Sequence, residues 1–166
     1  MAKAKKKSAR LSRKPALALA PAYAAPSDLN IFQDPAIPYP ANWTIFDFIN
    51  LSAIGITKKA LENLAEIIGI SKKKFAEDIL EVSIKTLERK SEKEKLNKKI
   101  SSHALEIARI MHRATEVFGD KEKAKLWINR DLKILNGKKP IDYFNTLSGL
   151  NLVNDILGRI EEGVYS

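Results

Sequence analysis

The sequence predicts an all-α fold, and three observations carry that prediction. From Thr44 onward apolar residues recur at intervals of three and four, alternating Val/Ile/Thr segments are absent, and Ser or Thr precedes several periodic stretches that Gly then follows. Thr44 is placed to cap a helix reaching about Ile54, with Phe48, Leu51 and Ile54 inward and Gly55 ending it. Thr57 caps the next helix with a single hydroxyl, because Ala60 stands where a capping box needs Glu or Gln. Its stripe is Leu61, Leu64, Ala65 and Ile68, and Gly69 follows where a left-handed terminal residue is wanted. Ser71 caps a helix over Lys72 to Leu80, and Ser83 caps one from Ile84 to about Lys98. A long helix is expected from about Ser102 to Phe118, with Leu105, Ala108, Ile110, Met111, Ala114 and Val117 apolar. Gly119-Asp120 turns the chain into a helix through Trp127, and Phe118 and Trp127 read as core aromatics. Pro140 opens a short helix over Ile141 to Asn145, and the last helix runs from about Ser148 to Glu162.

The 166 residues fit one ordinary domain or two very small ones. Six of the seven prolines lie in the first 40 residues, together with Lys and Arg clustered between Lys3 and Lys14. Residues 1–42 therefore read as a disordered basic arm, because the prolines forbid continuous helix and the Ala-rich remainder has little to bury. The stretch Lys3 to Lys14, then Ala16 to Ala20 and Tyr23-Ala24-Ala25, imitates a secretory signal, but its apolar run is short, weakly hydrophobic and broken by Pro21. The arm is the preferred reading over a secreted helical binding protein, and a cytoplasmic location is expected. Ile31, Phe32, Ile37, Tyr39 and Trp43 are suited to lie as an extended strap on the folded part.

The formal charge of +9 favours anionic partners such as nucleic acid. With no cysteine, disulfides, thiolate metal sites and cysteine nucleophiles are excluded. No apolar stretch approaches the length of a membrane span. His103 and His112 lie nine apart, which does not make a metal pair on one helix face. Gly137-Lys138-Lys139-Pro140 is too short for a phosphate loop, and Asn136-Gly137 is a turn. Nothing in the sequence supports catalysis, so neither an enzyme, a cofactor nor a metal is expected.

The unit richest in information is residues 69–90. Two short helices, each preceded by Ser and joined by three residues, have the proportions of a helix-turn-helix. In that motif the second helix enters the major groove and its first turns meet base edges. Ile84 and Leu87 would pack on Phe75, Ala76 and Ile79, leaving Lys85, Thr86, Arg89 and Lys90 outward with Ser83 at the helix start. Lys72 and Lys73 open the preceding helix, at the end where the dipole disfavours cations, which a phosphate backbone would offset. Glu88 sits in the middle of this surface and either accepts from a cytosine amine or pairs with a nearby lysine. A plain helical hairpin with a solvated basic face is the competing reading.

The C-terminal end carries Leu152, Val153, Ile156, Leu157 and Ile160 as one apolar face, then Gly163-Val164-Tyr165-Ser166. By itself this end reads as a glycine hinge leading to a frayed terminus, with an inserted anchor as the alternative. The apolar faces of residues 104–118 and 149–160 are candidates for a dimer or partner surface, since a chain this short is not expected to bury all of both.

Several spaced motifs occur in order along the second half of the chain. They are Ala114-Thr115-Glu116-Val117-Phe118-Gly119-Asp120, Lys123-Ala124 with Trp127, Leu135-Asn136-Gly137-Lys138-Lys139-Pro140-Ile141-Asp142, Thr146 with Gly149, and Leu157 through Ser166. This series resembles the Xre/MbcA/ParS-type antitoxins, and Ser71 to Lys90 resembles the Xre-like helix-turn-helix that precedes their toxin-binding domain. The likeness covers roughly residues 44–166 and omits the arm. Asp131-Leu132 stand where many members carry Pro-Asn, and Lys139 where Thr is usual.

Beyond the basic arm over 1–42, the resemblance implies a helix-turn-helix DNA-binding module over 43–99 and a helical toxin-binding domain over 100–166. It implies a type II antitoxin that binds a RES-domain, NAD-consuming toxin and represses its own operon as a homodimer on operator DNA. It makes Lys72, Lys73, Ser83, Lys85, Thr86, Arg89 and Lys90 the DNA-contact candidates. It also makes Arg159, Glu161, Glu162, Gly163, Val164, Tyr165 and Ser166 the toxin-contact candidates, in place of a frayed end. A stand-alone DNA-binding regulator whose C-terminal half only dimerises is the alternative.

Overall fold

A 21-residue helix spanning Lys98–Phe118, labelled α5 in chain order, forms the axis around which the other helices pack. The computed structural model describes residues 45–164. The arm, the strap residues, the cap at Thr44, and Tyr165 and Ser166 lie outside that range. Before the axis come α1 (Ile45–Ile54), α2 (Lys58–Ile68), α3 (Lys72–Lys74, continuing as a π-helical turn over Phe75–Ile79) and α4 (Ile84–Glu88). After it come α6 (Lys121–Ile128), 3-10 turns at Lys133–Leu135 and Pro140–Tyr143, and α7 (Leu147–Glu161). Among the described residues, extended pairing is limited to two isolated bridges, Thr57 with Lys95 and Leu132 with Lys138. No helix among them is long and apolar enough to cross a membrane.

The axis can be buried on several sides because its inward residues are apolar or small. Ala104, Leu105, Ile107, Ala108, Ile110, Met111 and Ala114 are all nearly inaccessible, and α1, α2, α6 and α7 pack against the helix. One hydrophobic cluster runs from Phe48 through Phe75 and Ile107 to Leu157, so α1 to α4 and the C-terminal segment share a core. Asn129 reinforces the joint: its Nδ2 donates to the Ile68 carbonyl at 2.8 Å and the Lys125 carbonyl at 2.9 Å, tying the end of α2 to α6. Leu132, Leu135 and Ile156 form a second, smaller cluster bridged to the first by Trp127 and Tyr143.

The caps at Thr57, Ser71 and Asp120 accept the third-residue N–H as their positions predict. The Lys/Glu-rich segment departs from expectation, since α4 ends at Glu88 and does not continue to Lys98. The cause is competition from the open end of α2. The free N–H groups of Lys58 and Lys59 bond to the carbonyls of Glu94 and Glu92, and Leu96 N–H bonds to Ile56 O at 2.8 Å. Those bonds hold a turn at Glu92-Lys93 and the bridge at Lys95 against α2 and sink Leu96 into the core, so the axis helix starts earlier than Ser102, capped by Asn97. Ile54, expected inward, is 60% exposed, because the buried side of α1 is Phe48, Leu51 and Ser52.

The two apolar faces proposed as partner surfaces are largely spent on each other. Val153 and Leu157 of α7 join the same cluster as Ile107 and Met111 of α5, whereas Leu152 is turned out at 41% exposure.

Among the described residues Ser101 is the one charged or polar residue with zero exposure, and it works as a double bracket. Its Oγ accepts from the Ile56 N–H at 3.1 Å and donates to the Leu96 carbonyl at 3.3 Å. Replacing Ser101 with Ala leaves a buried N–H without a partner and is expected to destabilise by about 1–3 kcal/mol in denaturant unfolding. Stability indistinguishable from wild type would remove this bracket from the account.

Candidate functional site

The segment from Lys72 to Glu88 is shaped by a widened turn. Leu80 N–H reaches back five residues to Phe75 O at 3.1 Å, and Val82 N–H bonds Ala76 O at 2.8 Å, so Phe75, Ala76, Ile79 and Leu80 all turn inward. The connection passes through Glu81 at φ 55, a left-handed conformation that strains a residue with a Cβ. Leu87 of α4 is buried, and half-buried Ile84 packs on the same core. Ser83 does not cap α4 through its side chain, and the Ile84 N–H points to Glu77 Oε1 at 3.4 Å instead.

The candidate DNA-contact residues fall into two groups. Lys73, Ser83, Lys85, Thr86 and Arg89 are exposed along α3 and α4. Lys72 and Lys90 already have carboxylate partners. Lys72 pairs with Glu62 at 2.8 Å, and that hydrogen bond raises its pKa above the ordinary lysine value. Lys90 pairs with Glu94, whose carboxyl is held below its usual range by the bond. Lys58, not singled out from the sequence, donates through Nζ to the carbonyls of Glu88 at 3.4 Å and Lys90 at 3.0 Å, and so closes the end of α4.

The second site is the end of α7, and Arg113 on the axis helix fixes it. Its Nη1 donates to Asn154 Oδ1 at 2.8 Å, and its Nη2 lies 3.2 Å from Glu161 Oε2. Gly158 lies under that guanidinium; a Cβ there would stand 3.1 Å from Nη2. The chain then reverses through a closed turn and not a loose hinge. Val164 N–H bonds Arg159 O at 2.9 Å, Gly163 N–H bonds Ile160 O at 3.1 Å, and Gly163 holds φ 69. This is the Schellman arrangement, and its left-handed residue favours glycine. Arg159 and Glu162 are exposed, and so is Val164 at 59%; Tyr165 and Ser166 lie beyond the described range.

Beside this end lies an open groove. Phe118, Trp127, Leu132, Ile134 and Ile160 line it, with Arg130, Asp131 and Lys133 on its rim. Phe118 and Trp127 are half-buried, not core residues, with ring centroids 5.4 Å apart at a 43° tilt. His103 is occupied structurally, its Nε2–H donating to the Phe144 carbonyl at 2.6 Å, while His112 faces Glu116 at 3.5 Å.

Residues 113–163, from the Arg113 clamp to the Gly163 turn, match the antitoxin Xre/MbcA/ParS C-terminal toxin-binding domain. This segment is similar to the Xre/MbcA/ParS toxin-binding family. Two curated relatives, each named Antitoxin Xre, are similar at 36% identity over 67 residues. One is from Yersinia enterocolitica serotype O:8 / biotype 1B and the other from Photorhabdus laumondii subsp. laumondii. The matched stretch is 40% of this chain and 45% of each relative, so the likeness spans less than half the length of either. Within the matched segment lie the groove, the clamp and four of the seven toxin-contact candidates. Arg113 and Asn154 were missed by motif reading, because each acts through a partner distant in sequence.

Proposed function

We propose that this chain is an antitoxin that captures a cognate RES-domain toxin through residues 113–166 and blocks its consumption of NAD. The observation carrying this reading is the coincidence of the toxin-binding match with a braced terminus. Arg113 and the Gly163 turn fix the direction in which the last residues leave α7. A terminus held in this way can occupy a partner's cleft and exclude substrate by volume, which requires no catalytic group on the antitoxin. Co-expression tests it: the neighbouring gene alone should stop growth and empty the NAD pool, and adding this chain should restore both. Growth arrest that this chain fails to relieve would contradict the reading.

The same protein represses its own operon, in this proposal, by laying α4 in the major groove as a homodimer in the cytoplasm. Exposed Lys73, Ser83, Lys85, Thr86 and Arg89 support the DNA contact, with Lys72 and Lys90 able to exchange carboxylate for phosphate. Exposed Phe46 and Ile49 on α1 support a dimer, which half-sites about 34 Å apart require. Replacing Lys85 and Arg89 together by alanine should weaken operator binding and reduce the slope of log affinity against log salt by about two. Unchanged affinity and slope would remove α4 from the DNA interface.

A further inference from the structure

We infer that the groove between α6 and the end of α7 is the anchor that captures the toxin, separate from the terminal residues that inhibit it, and that it takes an apolar toxin side chain flanked by carboxylate. This deepens the antitoxin reading and rests on it. The lining is made of two half-buried aromatics, Phe118 and Trp127, and the aliphatic residues Leu132, Ile134 and Ile160. Ile134 is 42% exposed on an otherwise ordered turn, an arrangement that costs hydrophobic free energy unless something covers it. Aromatic and aliphatic walls around a concave site are what a single protruding apolar side chain fits, and such central pockets dominate interface energetics.

The rim defines the neighbouring charge. Arg130 and Lys133 are exposed, and neither has an ion-pair partner among the described residues, where the paired cations are Lys72, Lys90, Arg109, Arg113 and Lys125 with His112 facing Glu116. Asp131 offsets only one of the two, so the rim is cationic and favours a carboxylate beside the inserted side chain. Position decides the occupant. Every groove residue lies inside the matched toxin-binding segment, and Ile160 in its wall is four residues from Val164, so groove and terminus form one continuous surface. Val164 is exposed beside it, whereas the groove has the area and walls for holding on.

The test uses the full chain, the purified product of the neighbouring toxin gene, calorimetry for affinity, and light scattering for oligomeric state. Ile134→Asp should weaken toxin capture by roughly 30-fold or more, as truncating a hot spot does, with the thermal midpoint and free-chain oligomer unchanged. Arg130→Glu, a fully surface change, should weaken it by about tenfold and flatten its salt dependence. Removing residues 164–166 should leave capture within about threefold of wild type, since terminal contacts contribute inhibition here and not anchoring. Wild-type capture that both groove variants retain would overturn the anchor while leaving the antitoxin reading intact. Variants that change only the free-chain oligomer would reassign the groove to a second copy and overturn it equally. Failure of the wild-type chain to bind the toxin would instead overturn the antitoxin reading itself.

Discussion

Replacing Gly149 with alanine is expected to destabilise the protein by roughly 3 kcal/mol, near the upper end for forcing atoms into a packed site. Gly149 sits in the first turn of α7 and is buried. A Cβ built there would lie 2.0 Å from the Tyr143 carbonyl oxygen and 2.9 Å from Thr146 Oγ1. Tyr143 Oη is itself held by the Leu135 carbonyl at 3.3 Å, and Thr146 caps α7 by accepting from the Gly149 N–H at 3.0 Å. Neither neighbour is the free end of a flexible side chain, so the methyl group must displace backbone or break the cap. For a folded region of this size that corresponds to a fall of roughly 10 °C in thermal midpoint. Toxin capture should fall with it, because α7 carries both the groove wall and the terminus. A G149A protein with wild-type midpoint would mean that α7 does not approach the 3-10 turn as closely as described.

Deleting Val164 to Ser166 is expected to have the largest functional effect while leaving the fold untouched. Val164 is 59% exposed and belongs to neither hydrophobic cluster, and its N–H bond to Arg159 O closes only the last turn of α7, so the midpoint should stay within about 2 °C of wild type. The toxin, still captured, should regain most of its NAD-consuming rate. Measuring NAD turnover by the isolated complex checks this directly. Full inhibition by the truncated chain would place the blocking contact elsewhere on residues 113–163. Arg113→Ala should give a weaker version of the same phenotype, because it frees Asn154 and Glu161 and lets the last turn of α7 move.

Where local chemistry decided structure, it was legible in the sequence. Thr57, Ser71 and Asp120 cap as their positions predict, and Gly55, Gly69 and Gly119 end helices at positive φ. The errors arose where a distant partner won. Residues 89–97 have strong helix formers, yet the open N-terminus of α2 recruits their carbonyls and Leu96 prefers the core to a solvated helix. Phe118 and Trp127 read as core because large aromatics usually are, yet both are half-buried and line the open groove. The candidate toxin-contact residues were legible by resemblance, but the brace that orients them was not. Arg113 lies 41 residues from Asn154 and 48 from Glu161, beyond any local pattern. Among the candidate DNA contacts, residue type indicated the cations, but only the fold reveals that Lys72 and Lys90 are already paired.

The central claim is that this chain neutralises a NAD-consuming toxin by binding it, and a titration in vitro tests that most directly. NAD loss catalysed by the purified product of the neighbouring gene would be followed while this chain is added from zero to a molar excess. The account predicts that NAD loss falls in proportion to added chain and stops at a fixed stoichiometric ratio. NAD loss that continues undiminished in the presence of excess folded chain would contradict it.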